Sequence, residues 1–79
     1  MRDDNFDKRL GAWLKSKRIE KGYTMQFLAD RLGVTRTAIH CWETGKRQLY
    51  ASTLVQVCNA LGADLDEFTR SEKHVSQQN

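Results

Sequence analysis

Proline is absent from all 79 residues, and only five glycines interrupt the chain. With no Gly/Ser-rich linker either, a loop-rich or all-β architecture is excluded, since turns of that kind lean on these two residues. Cysteine is limited to Cys41 and Cys58, which leaves one disulfide as the only covalent staple. They form no CxxC pair and lie near no spaced histidines, so a zinc site is not expected. No apolar run approaches the roughly 18 residues of a membrane span. The first six residues, Met1 to Phe6, are acidic where a signal peptide would be basic and then apolar. The chain also lacks a phosphate-cradling glycine loop and paired carboxylates, and His40 and Cys41 are helix neighbours that cannot face each other. No catalytic residue, no metal and no cofactor is therefore expected, and the chain reads as a non-enzyme. The reading places it in the cytoplasm with both thiols reduced, off any membrane.

What is present is charge, 29% of residues, unevenly spread around a net of +3. Between positions 11 and 47, Lys15, Lys17, Arg18, Lys21, Arg31, Arg36, Lys46 and Arg47 face only Glu20, Asp30 and Glu43. Beyond position 47, Arg70 and Lys73 are outnumbered by Asp64, Asp66, Glu67 and Glu72. Such asymmetry fits a face for a polyanion, or an ordinary solvated surface.

Helical periodicity recurs segment by segment. Phe6, Leu10, Trp13 and Leu14 share one face of a first helix that Asp4 or Asn5 can cap and Lys21-Gly22 ends; Ile19 lies off that stripe. Thr24 caps a second helix carrying Met25, Leu28, Ala29 and Leu32, and Gly33 breaks it. Thr35 caps a third from Arg36 to about Glu43, ended by Thr44-Gly45. A fourth starts near Ala51 or Ser52, buries Leu54, Val57, Cys58 and Leu61, and stops at Gly62. Asp64 caps a short fifth holding Leu65 and Phe68. The expected fold is all-α, a compact bundle of five short helices over residues 1–70, with helices two and three as a helix-turn-helix. Residues 71–79 read as a disordered polar tail.

The third helix divides cleanly. At 100° per residue Ala38, Ile39 and Trp42 fall on the core side, while Arg36, Thr37, His40 and Cys41 point outward. That polar outer face suits a helix laid in a DNA major groove, or else is simply the wet side of a surface helix. Thr44, Gly45, Lys46 and Arg47 follow as a basic loop whose amides suit phosphates. Cys58 reads as a small core residue; Cys41, placed outside, reads as a contact residue or an oxidisable thiol.

The run from Leu14 to Lys21-Gly22-Tyr23-Thr24, then Leu28-Ala29-Asp30-Arg31-Leu32-Gly33-Val34, then Ile39, Trp42-Glu43-Thr44-Gly45-Lys46 and Ala60-Leu61-Gly62, resembles the XRE/Cro family. The resemblance covers roughly residues 6–69, and that family includes lambdoid phage repressors and Cro proteins, restriction-modification controllers and antitoxins. It implies a lambda-repressor-like fold and a double-stranded DNA-binding transcriptional regulator, most simply a homodimeric repressor on an inverted repeat, associated with the nucleoid through DNA. It implies that Arg36 and Thr37 hold the principal base-reading positions with Thr35 and Cys41 adjacent to the bases, that Thr44 and Lys46 contact phosphates, and that Arg18 pairs with Glu43. His40 on the outer face is expected among the base readers, and Lys17, Arg18 and Arg47 among the backbone contacts. A dimer surface is expected around Leu61 to Phe68. The alternative is an antitoxin or adaptor whose main partner is a protein, such as a toxin. Met25 stands where the family often has glutamine, and Leu49 where it often has proline.

Overall fold

The computed structural model describes residues 4–76. Over that span the chain forms five helices: α1 (Asp4–Glu20), α2 (Met25–Leu32), α3 (Arg36–Thr44), α4 (Ala51–Leu61) and α5 (Leu65–Ser76). The all-α bundle of five helices expected from periodicity is what the chain adopts. None of the described helices is long and apolar enough to cross a membrane.

Local chemistry sets the helix ends. Thr24 Oγ1 accepts from the Phe27 amide at 3.0 Å and Thr35 Oγ1 from the Ala38 amide at 3.1 Å, each satisfying an amide that the first turn leaves without a partner. Between those caps Gly33 adopts φ 70°, a left-handed conformation open to glycine at little cost, and the Val34 amide returns to the Ala29 carbonyl at 3.0 Å. This turn fixes the direction in which α3 leaves α2. Asp64 accepts from the Asp66 amide at 3.0 Å and opens α5. Asp4 and Asn5, expected as caps, are already helical.

One core runs through the bundle, built from Leu10, Leu14, Leu28, Ala29, Ile39, Val57, Cys58, Leu61 and Phe68. Trp13, Met25, Leu32, Trp42, Leu54 and Leu65 are partly buried around it. Ile19 is exposed, which accounts for its place off the α1 stripe. Phe6, 38% exposed, meets Phe68 edge-on, ring centroids 5.6 Å apart. Glycine at position 11 lets α1 cross α3 at close range, for a Cβ there would stand 2.6 Å from the Glu43 carbonyl oxygen.

Two expectations change. Residues 71–76, read as the start of a disordered tail, are helical. Arg9 on α1 donates through Nε and Nη2 to both Glu72 carboxylate oxygens, at 2.7 and 2.8 Å, and so holds α5 one turn beyond the buried Phe68. Gln77–Asn79 lie outside the described residues. Within the stretch around Leu61 to Phe68 expected as a dimer surface, Leu61 and Phe68 themselves are buried in the chain's own core, while Gly62, Asp64, Asp66 and Glu67 between them are exposed.

Candidate nucleic-acid interface

The expected reading helix keeps its outer side free. Arg36, Thr37 and His40 are exposed on α3, while Ala38 and Ile39 are buried against the core. Thr35 is exposed too, with its hydroxyl oxygen already capping the helix. Cys41 is half-buried, nearer the rim than the outer face on which periodicity placed it. It is a free thiol, as is Cys58, whose burial raises its thiol pKa.

The loop after α3 differs from its sequence reading. The amides of Gly45, Lys46 and Arg47 do not stand open to phosphate. All three turn back to the Cys41 and Trp42 carbonyls, with Lys46 N to Cys41 O at 2.9 Å, because a helix terminus leaves carbonyls that need donors. Thr44 Oγ1 likewise donates to the His40 carbonyl at 2.8 Å. The exposed cationic side chains of Lys46 and Arg47 are what this loop offers to an anion.

Tertiary packing adds a cation that no motif singled out. Gly45, at φ 78°, lies against the first turns of α1: a Cβ there would stand 3.0 Å from the Lys8 backbone nitrogen and Cα. Lys8 is exposed and therefore belongs with Lys46 and Arg47. The only hint in the sequence was its charge.

Two of the expected backbone contacts are committed elsewhere. Arg18 is only 7% exposed, and so is Glu43. Arg18 Nε and Nη2 donate to the two Glu43 oxygens at 2.7 and 3.1 Å, and Nη1 donates to the Tyr23 carbonyl at 2.8 Å. The expected ion pair is present, and it uses every nitrogen with which Arg18 could have reached a phosphate. Lys17 points the other way, to α5. Its Nζ lies 3.0 Å from Glu67 Oε1, and Trp13 Nε1 donates to the same carboxylate at 3.3 Å. The Lys17–Glu67 hydrogen bond raises the Lys17 pKa above its ordinary value, while Lys17 first and Trp13 second lower that of Glu67.

A capped α2, a left-handed glycine, and a capped α3 with a polar outer face make one supersecondary unit, and the helix-turn-helix family model matches residues 14–68. The chain belongs to the helix-turn-helix family. Among relatives of this helix-turn-helix chain is the uncharacterized HTH-type transcriptional regulator YqaE of Bacillus subtilis (strain 168), 38% identical over 61 residues, or 77% of this chain and 53% of the relative. Another from the same organism is the SPbeta prophage-derived uncharacterized HTH-type transcriptional regulator YonR, 41% identical over 56 residues, or 71% of this chain and 52% of the relative. The chain thus spans about half the length of the curated relatives it matches. In structure it is similar to the clp gene regulator ClgR of Corynebacterium glutamicum, with a TM-score of 0.74 and 34% identity, covering 77% of this chain and 78% of that one. A second ClgR structure gives the same TM-score at 26% identity over 90% and 86% of the two chains.

Proposed function

We propose that this helix-turn-helix chain is a sequence-specific double-stranded DNA-binding transcriptional regulator, a repressor that binds an inverted-repeat operator as a homodimer. The observation that carries the reading is α3 itself. Arg36, Thr37 and His40 stand exposed on a short helix fixed by its cap and by the core, with Lys46, Arg47 and Lys8 gathered at its far end. Such a helix enters the major groove with its first turn toward base edges, while cations beyond it hold the backbone. Arg36 is the principal reader, able to meet guanine O6 and N7 with two hydrogen bonds. Thr35, Thr37, His40 and Cys41 flank it, and Thr44 joins the backbone group by turning its hydroxyl from His40 to a phosphate. Nothing in this scheme calls for a cofactor, and the site of action is the cytoplasm.

The test separates reading from holding. Arg36→Ala should weaken the cognate complex by about 1–3 kcal/mol and relax preference at one base position per half-site. Lys46→Ala should weaken all sequences alike and reduce the salt slope by about one per subunit. The opposite pattern means that α3 is not the reading helix. Two folded variants that both bind duplex DNA like wild type would point instead to a protein partner, as in an antitoxin or adaptor.

A further inference from the structure

Exposed apolar side chains are ordinary on a small protein when they stand singly. Phe27 does not stand singly. It is 43% exposed and meets Tyr23 with ring centroids 4.6 Å apart and planes 51° from parallel. The Arg31 guanidinium lies 5.8 Å from the centre of the Phe27 ring. Tyr23 and Phe27, with Lys21, Gly22 and Thr24, line an open groove of about 370 Å³ where α1 gives way to α2. The frame of this groove is held from behind. The Tyr23 amide donates to the Arg18 carbonyl at 3.1 Å, Arg18 Nη1 donates to the Tyr23 carbonyl at 2.8 Å, and Thr24 Oγ1 accepts from the Phe27 amide. The charge around the groove has one sign. Lys21 and Arg31 are exposed, no acidic residue lines the groove, and α2 has none in its first turn. Asp30, the one acid on α2, accepts from Gln26 Nε2 at 2.9 Å.

We infer that this groove docks an acidic segment of another protein, which lays one large apolar side chain against the Tyr23–Phe27 pair and sets carboxylates beside Lys21 and Arg31. Aromatic side chains and arginine are the groups that concentrate binding energy at protein interfaces, with charges of the partner matched around them. A guanidinium held at a ring keeps N–H groups free for a carboxylate. Nucleic acid fits worse. Two rings this close and this far from parallel leave no slot for a base, and a duplex backbone would bring phosphates but no apolar group to cover the rings. A second copy meeting the same surface fits worse too, since a two-fold axis would set Lys21 and Arg31 against their own images. The acidic partner is additional to the duplex proposed above, and the inference does not depend on α3 reading DNA.

The experiment is a chemical-shift titration of the isotope-labelled full chain with two short peptides, a central tryptophan flanked by glutamates in one and by lysines in the other. The glutamate peptide should shift the amides from Lys21 to Phe27 and that of Arg31, and the lysine peptide should not bind. Phe27→Ala should weaken the glutamate peptide about tenfold, the loss expected of an interface anchor. Arg31→Gln, which leaves both rings in place, should weaken it severalfold and reduce its salt dependence. Circular dichroism confirms that both variants are folded. No shift with millimolar glutamate peptide overturns the inference, as does equal binding of the lysine peptide, an affinity unchanged in either variant, or shifts centred on Arg36 and Lys46. Duplex DNA that displaces the peptide from Lys21 to Phe27 also overturns it and gives the groove to the DNA interface. A groove that takes the glutamate peptide in a chain that never binds duplex DNA upholds the inference while sinking the DNA reading.

Discussion

Arg18 closes on Glu43 through two parallel hydrogen bonds, 2.7 and 3.1 Å long, across 25 residues of chain, and both residues are buried. With the third bond to the Tyr23 carbonyl, one guanidinium ties α1 to the turn before α2 and to the end of α3. Paired charges at this depth need not exceed an apolar substitute in stability, yet losing one partner strands the other. Glu43→Gln should therefore cost about 3–5 kcal/mol. A chain of this size has about 4–12 kcal/mol in all, at roughly 0.05–0.15 kcal/mol per residue. Urea unfolding followed by circular dichroism measures it; a midpoint close to wild type would mean that the pair is dispensable.

Gly11 offers a second stability test. Alanine would improve helix propensity by up to about 1 kcal/mol. Its methyl group, however, would press on the Trp42 and Glu43 carbonyl oxygens, which belong to backbone and cannot rotate away. Overpacking of this sort costs about 1–3 kcal/mol, so repulsion wins. Gly11→Ala should lower the thermal midpoint by several degrees, at about 4–8 °C per kcal/mol for a domain this small. An unchanged or higher midpoint would show that α1 and α3 can slide apart freely.

The Lys17–Glu67 pair makes stability depend on pH at both ends. Glu67 has a lowered pKa, so its contribution is present above the ordinary carboxylate range and is lost as pH falls through the lowered value. Lys17 has a raised pKa, so its contribution is present below the ordinary lysine range and is lost as pH rises through the raised value. Glu67→Gln should flatten both limbs of the melting temperature against pH, and Lys17→Met should do the same. Glu67 is exposed and Lys17 only partly buried, so added salt should shrink the effect. A Glu67→Gln profile that parallels wild type in acid would assign the acid limb to other carboxylates.

Lys8 should act on DNA like Lys46. Its backbone and Cγ pack beside Gly45, which puts this exposed lysine next to the loop that carries Lys46 and Arg47. Lys8→Ala should reduce the slope of log affinity against log salt by about 0.9 per subunit, with base preference intact. A slope equal to wild type would remove α1 from the interface.

The sequence by itself determined the helices, their threonine caps, the glycine turn and the split of α3 into core and outer sides. Each of these is decided within about one or two helical turns, by 3.6-residue periodicity and by hydrogen bonds between neighbours. The Arg18–Glu43 pair was legible only through resemblance, since nothing local links residues 25 positions apart. Tertiary structure decided the rest. The crossing of α1 and α3 at Gly11 brings Lys8 to the α3 loop. The return of α5 onto α1 gives Lys17 to Glu67, sets Phe68 against Trp13, and extends α5 through Arg9 and Glu72. The Gly45–Arg47 amides close their own helix rather than face outward. A long side chain's partner depends on the angle and offset at which two helices pack, and a periodic pattern specifies which face is buried, not where along that face a distant helix will cross.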